Sequence, residues 1–183
     1  MNKILKAIAF FLFIGCHLAF LTSVLFEKVN NLWLILGVLC SSLFITYAYY
    51  HKSIQEEEHF LEDLQDIVYV SLGGLITYFI STDLEFGAVI AAGFTGTVAS
   101  YLPSISKSSE WLKRTPVPLY CGAFVGMTAP SVSSGYSFII FSCFLTGVLF
   151  ISAKNVFNGF GGKLGTIAFG GVALSSLLIY LLF

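Results

Sequence analysis

Residues 118–135 read PLYCGAFVGMTAPSVSSG, a run whose length and punctuation constrain every other part of the chain. Its apolar portion, 119–129, is about half of the ~20 residues a helix needs to cross hydrocarbon. Pro130, then Ser131, Ser133, Ser134 and Gly135, bring it to a stop. A helix interrupted at membrane depth leaves backbone N–H and C=O groups unpaired, which is tolerated only where protein or a watery cavity receives them. The spacing therefore predicts a half-helix or a Pro-broken crossing sheltered by longer neighbours.

Outward from this run, apolar stretches occur at 4–26, 32–50, 67–80 and 86–102 on one side and at 136–153 and 163–183 on the other. With 57% hydrophobic and only 10% charged residues, a water-soluble fold of 183 residues has no means of hiding such a surface. The expected class is an all-α integral membrane protein of about seven transmembrane helices, the fifth short or Pro-broken, in one polytopic domain covering 1–183. Nineteen Phe and nine Tyr suit lipid-facing and interfacial surfaces. The run 4–26 follows a basic start as a signal peptide does, but it is too long and lacks a small-x-small cleavage site, so it reads as a retained crossing. Cys16, Cys40, Cys121 and Cys143 all lie in apolar runs without paired or metal-like spacing and read as structural thiols.

Threaded as seven crossings, the chain places Lys3, Lys6, Lys52, Lys107, Lys113, Arg114, Lys154 and Lys163 on one face and Lys28 alone on the other. Short loops rich in Lys and Arg stay cytoplasmic, so the amino terminus is expected inside and the carboxyl terminus outside. Compact loops and the missing N-x-S/T sequon suggest a prokaryotic inner (plasma) membrane. The net charge of −1 implies no nucleic-acid partner.

The strongly charged segment is 51–66, where Glu56, Glu57, Glu58, Glu62, Asp63 and Asp66 crowd together while Ile54, Leu61, Leu64 and Val68 recur at helical spacing. It reads as an acidic amphipathic cytosolic helix. No Gly or Pro separates it from the third crossing, so one helix of about 30 residues and about 45 Å is expected. Glu57, Glu58 and Glu62 are the candidates for docking a soluble cytosolic partner, with the apolar stripe as a seam for another helix. Glu56, His59 and Asp63 share a face as a divalent-metal site requires, but a run this acidic reads better as a solvated face, and no metal is expected.

Residues 93–99 read GFTGTVA and 162–168 read GKLGTIA, both G-x-x-G-T-[VI]-A, and 122–126, GAFVG, loosely echoes 92–96, AGFTG. If crossings 2–4 match crossings 5–7, the plan is a 3+3 inverted repeat, as in many secondary transporters. Gly93, Thr95, Gly96, Thr97, Gly122, Gly126, Thr128, Gly165 and Thr166 are then candidates either for lining a pathway or for close helix packing. Gly73, Gly74, Gly87, Gly93, Gly96, Gly122 and Gly126 together predict homo-oligomers. The segment 158–163, with Gly161, Gly162 and Lys163, opens a helix amino terminus. It suits either a tight cytosolic turn with a snorkelling lysine or an anion such as lipid phosphate. It is not a P-loop, since Leu164 stands where Ser or Thr would hold magnesium.

His17 is the ionisable side chain nearest the middle of a crossing, suited to a neutral interhelical hydrogen bond or to proton relay. No Asp or Glu is expected to be buried, which weighs against a proton- or sodium-coupled pump. No His/Asp/Glu cluster, Ser/Lys pair or metal box lies at membrane depth, so neither an enzyme nor a cofactor is expected. Two functions remain. One is a small transporter or channel for a small solute or ion, with its pathway between crossings four, five and seven. The other is a non-catalytic anchor or sensor subunit that recruits a soluble effector, for example in an envelope-stress or phage-defence complex.

Overall fold

The computed structural model describes Leu36, Cys40 and residues 60–106, 108–153 and 162–182. The first crossing, most of the second and residues 51–59 lie outside the described residues.

Helix α1, Phe60–Thr82, divides its circumference by the 3.6-residue period. Asp66, Tyr69, Val70, Gly73, Gly74, Thr77 and Tyr78 form a buried stripe, while Leu64, Val68, Leu72, Ile76 and Phe79 point outward. Apolar side chains facing out are what hydrocarbon solvates. The helix unwinds through Asp83 and Leu84, whose N–H groups both bond the Phe79 carbonyl, and Glu85 adopts a left-handed φ of 55°. Gly87, at φ 81°, completes the turn in a region that favours glycine, which is why α2 starts at Ala88 and not at 86.

Helix α2, Ala88–Ile105, runs through Pro103, although a proline there reads as a loop start. Pro103 falls in the last turn, so it forfeits one hydrogen bond without a following turn to disrupt. Inside the expected polar loop lies a short helix α3, Glu110–Arg114, whose amino end is capped by Ser109 accepting from Leu112 N–H. Glu110 in its first turn and Lys113 and Arg114 in its last oppose the helix dipole favourably. Helix α4, Pro116–Gly126, opens on a proline at its first position, where the missing N–H costs nothing. Helices α5, Tyr136–Ala153, and α6, Lys163–Leu182, complete the described chain.

Contacts fix the direction of each helix. Thr77 meets Thr95 while Tyr69 packs near Ala99 and Leu102, so α2 runs against α1. Gly122 abuts Val70 and Gly74, and Gly126 abuts Gly74 and Thr77, so α4 runs with α1. Gly74 faces Cys143 and Gly147 faces Ile67, which sets α5 against α1. Gly171 against Thr146, and Leu164 against Cys121, return α6 to the direction of α1 and α4. At the centre is the short α4, with Pro118, Leu119, Cys121, Gly122, Ala123, Val125 and Gly126 all buried. Around it Val70, Ile139, Cys143, Phe150 and Ile167 complete the core.

The described fold is all-helical, and α1, α2, α5 and α6 are long and apolar enough to cross a membrane. At 11 residues, or about 16 Å, α4 covers half of that thickness. The two copies of the G-x-x-G-T-[VI]-A pattern sit differently. Gly93 lies within α2, whereas Gly162 lies in the turn before α6 at φ 80°.

Candidate functional site: a groove between α2, α4 and α6

On α2, Gly93, Gly96, Thr97 and Ser100 recur at i, i+3, i+4 and i+7 and so form one face. Opposite them stand Pro116, Val117 and Tyr120 of α4, and Leu164 of α6 closes the third side. Together they line an open groove of about 480 Å³, within the range of small-molecule sites. Gly93 forms the open wall, since a Cβ there would meet nothing within 4 Å. Gly96 instead receives the ring of Tyr120, whose Cε2 would lie 2.5 Å from a Cβ at that position. Tyr120 is held from the far side by Phe124, with ring centroids 4.8 Å apart.

The two aliphatic hydroxyls of the groove already donate within α2. Thr97 Oγ1 donates to the Gly93 carbonyl at 2.7 Å, and Ser100 Oγ donates to the Thr97 carbonyl at 2.7 Å. No charged side chain lines the groove among the described residues. Its chemistry is thus bare backbone, aliphatic groups and one half-exposed phenol.

The other sequence candidates fall elsewhere. Thr95 is on the buried side of α2, accepting from Thr77 Oγ1 at 2.9 Å and tying α2 to α1. Gly122 and Gly126 form the α4 face on which α1 lies backbone to backbone, with Gly73 and Gly74 opposite. Gly74 meets Gly122 and Gly126, and Gly73 meets the Leu119 backbone, so these four glycines, among those from which self-association was expected, pack within a single chain. Thr128 Oγ1 donates to the Val125 carbonyl at 2.6 Å just beyond the end of α4. Gly165 has open space where a Cβ would be, and Thr166 donates to the Gly162 carbonyl at 3.1 Å. Lys163 is the first residue of α6 and Gly162 precedes it. His17, Glu57, Glu58 and Gly161 lie outside the described residues. Glu62 lies in the first turn of α1.

Three features escape a reading of the sequence by runs. Asp66 does not belong to a solvated acidic face: it is 3% exposed, at the start of the apolar span of α1. This corrects the expectation that no carboxylate is buried. The signal was register, since Asp66 precedes Val70, Gly74 and Tyr78 at intervals of four, whereas the stripe through Leu64 and Val68 is exposed. The second feature is a polar clamp at the opposite end. Tyr136 donates to Asp83 Oδ2 at 2.5 Å, Thr82 donates to the same oxygen at 2.9 Å, and Tyr78 and Ser133 share a hydrogen bond of 2.9 Å. The Tyr136 and Thr82 hydroxyls hold the Asp83 carboxyl below the usual carboxylate range. The third is a pair of buried hydroxyls, Ser142 Oγ and Thr146 Oγ1, which find no hydrogen-bond partner among the described residues.

No protein-family model, curated protein or solved structure matches this chain, so the site is read from its own geometry.

Proposed function

We propose that the protein is a small integral membrane transporter or channel, without catalysis, whose pathway runs along the groove between α2, α4 and α6. The observation that carries this reading is the groove itself, because it lies between the segments the sequence marks as broken or glycine-lined. The short α4 supports it. A half-length helix at the centre of the bundle, buried along most of its residues, is the kind of discontinuous element beside which membrane proteins place their binding sites. On the lysine and arginine distribution we assign 106–115 to the cytosolic side of a prokaryotic inner membrane, with the carboxyl terminus outside.

The test is flux in proteoliposomes. Release of an encapsulated fluorescent ion, uptake of a panel of labelled water-soluble metabolites and transbilayer movement of a fluorescent phospholipid are measured for the wild type and for Gly93→Leu. At least one cargo is expected to move and to be blocked by the substitution, which enters open space and so spares the fold. No movement of any cargo, or movement indifferent to Gly93→Leu, overturns the proposal.

A further inference from the structure

We propose that the groove seats the hydrocarbon chain of a bilayer lipid, which enters sideways from the membrane along α2. The inference rests on reading this groove as the pathway, and it narrows the cargo to an amphiphile with at least one alkyl chain.

The lining is unsuited to an ion or a hydrated solute. Thr97 and Ser100 have committed their protons to the carbonyls of their own helix, and no charged group faces the space among the described residues. An ion stripped of water there would meet only a few neutral hydroxyl oxygens and no opposite charge in exchange, which leaves most of its desolvation cost unmet. A methylene chain asks for no hydrogen bonds. Gly93 and Gly96 give it a backbone wall without projecting carbons, and Pro116, Val117 and Leu164 supply aliphatic contact.

The mouth of the groove points to the same source. Ile90, Phe94 and Tyr101 on α2 and Val117 on α4 flank the opening, and all four are exposed. On a helix that crosses a membrane this is a lipid-facing surface, so the medium at the mouth is hydrocarbon. The groove ends at Pro116, next to α3, whose Trp111 is 53% exposed beside Tyr69. An exposed indole just beyond the end of an apolar helix suits headgroup level. The chain would therefore lie along α2 with its polar head beside α3.

The test uses the full-length protein in phosphatidylcholine vesicles doped with a phosphatidylcholine that carries a diazirine near the end of one acyl chain. After irradiation, adducts are mapped by peptide mass spectrometry. Tyr120 and Leu164 are expected to be labelled well above Ile140 and Phe144, which are exposed on α5 and do not line the groove. Gly93→Leu should lower the Tyr120 and Leu164 adducts by about tenfold, the effect of displacing roughly two buried methylenes. Ile140 and Phe144 adducts should stay unchanged. Equal labelling at all four positions, or labelling indifferent to Gly93→Leu, overturns the lipid seat. So does chain-to-chain crosslinking through Tyr120, which would put a second copy in the groove. If the lipid seat fails while a water-soluble cargo still moves in the flux assay, the pathway survives. If no cargo moves while the adducts behave as expected, the seat stands and the pathway falls.

Discussion

A methyl group added at Gly122 would fall inside the van der Waals envelope of the Val70 carbonyl oxygen, and one at Gly126 inside that of Gly74. Neither obstacle can rotate away, because both are backbone. Gly122→Ala and Gly126→Ala should each cost about 1–3 kcal/mol, read as a lower melting temperature in mild detergent. Gly93→Ala meets open space and should be neutral or gain up to about 1 kcal/mol from helix propensity. At the other end of α1, Asp83 makes the stability depend on pH in one direction. Its folded pKa is depressed, chiefly by the Tyr136 hydroxyl and then by Thr82. The contribution is therefore full above the unfolded value of about 3.9 and is lost as pH falls through the folded value. Tyr136→Phe removes the main cause. Melting followed from pH 7 down to strong acid should show the variant less stable than the wild type at pH 7, and the gap between them closing as the pH falls below about 4, because the variant has lost the contribution that acid removes. Small residues at intervals of four announced the Gly122–Gly126 contact in the sequence, although not its partner. Asp66 was hidden by its neighbours, since a run of acids reads as one solvated face until the register of α1 separates it.

Among the elements, α4 was the most legible and its surroundings the least. A short apolar run between prolines and serines could only be a partial crossing, and its boundaries of 116–126 against an expected 119–129 follow from Pro116 serving as a helix start. Ser109, Glu110, Lys113 and Arg114 carried a complete set of cap and dipole signals for α3, but five residues are too few for hydropathy to register. Of the residues the sequence offered for a pathway, Gly93, Gly96 and Thr97 line the groove and the others do not, and its chemistry was not legible. Thr95 and Thr97 look alike in sequence, and only the rotation of α2 sends one to α1 and the other to the groove. The segment 127–135 is anchored through Ser133 to Tyr78. Tyr78→Phe deletes that bond and keeps the ring that packs edge-on against Tyr136. Hydrogen exchange in 127–135 should then accelerate while the middle of α1 stays protected, because opening of this segment is local. Equal acceleration along α1 would mean that the hydroxyl supports the whole bundle.

Over the whole molecule, the described helices alternate in direction although one of them is half length. That alternation places the 83–87 turn and the 127–135 segment at one end and α3 and the start of α6 at the other. The short helix bears on how the protein is made. Eleven residues fall well below what the insertion machinery recognises as a span, so α4 gains little from lipid on its own. Its entry must instead draw on partners already present, and α1, synthesised earlier, offers Gly73 and Gly74 to receive it. A defect at that seam would then leave 106–135 behind as one long loop, and α5 and α6 would follow with their ends exchanged. Gly122→Leu is thus expected to yield a fraction of chains in which a cysteine tag after Phe183 reacts with impermeant thiol reagents from the wrong side. Wild-type chains should react from one side only. A substitution in the middle of a packed helix would in this way be read out as a mistake in which direction the last quarter of the protein faces.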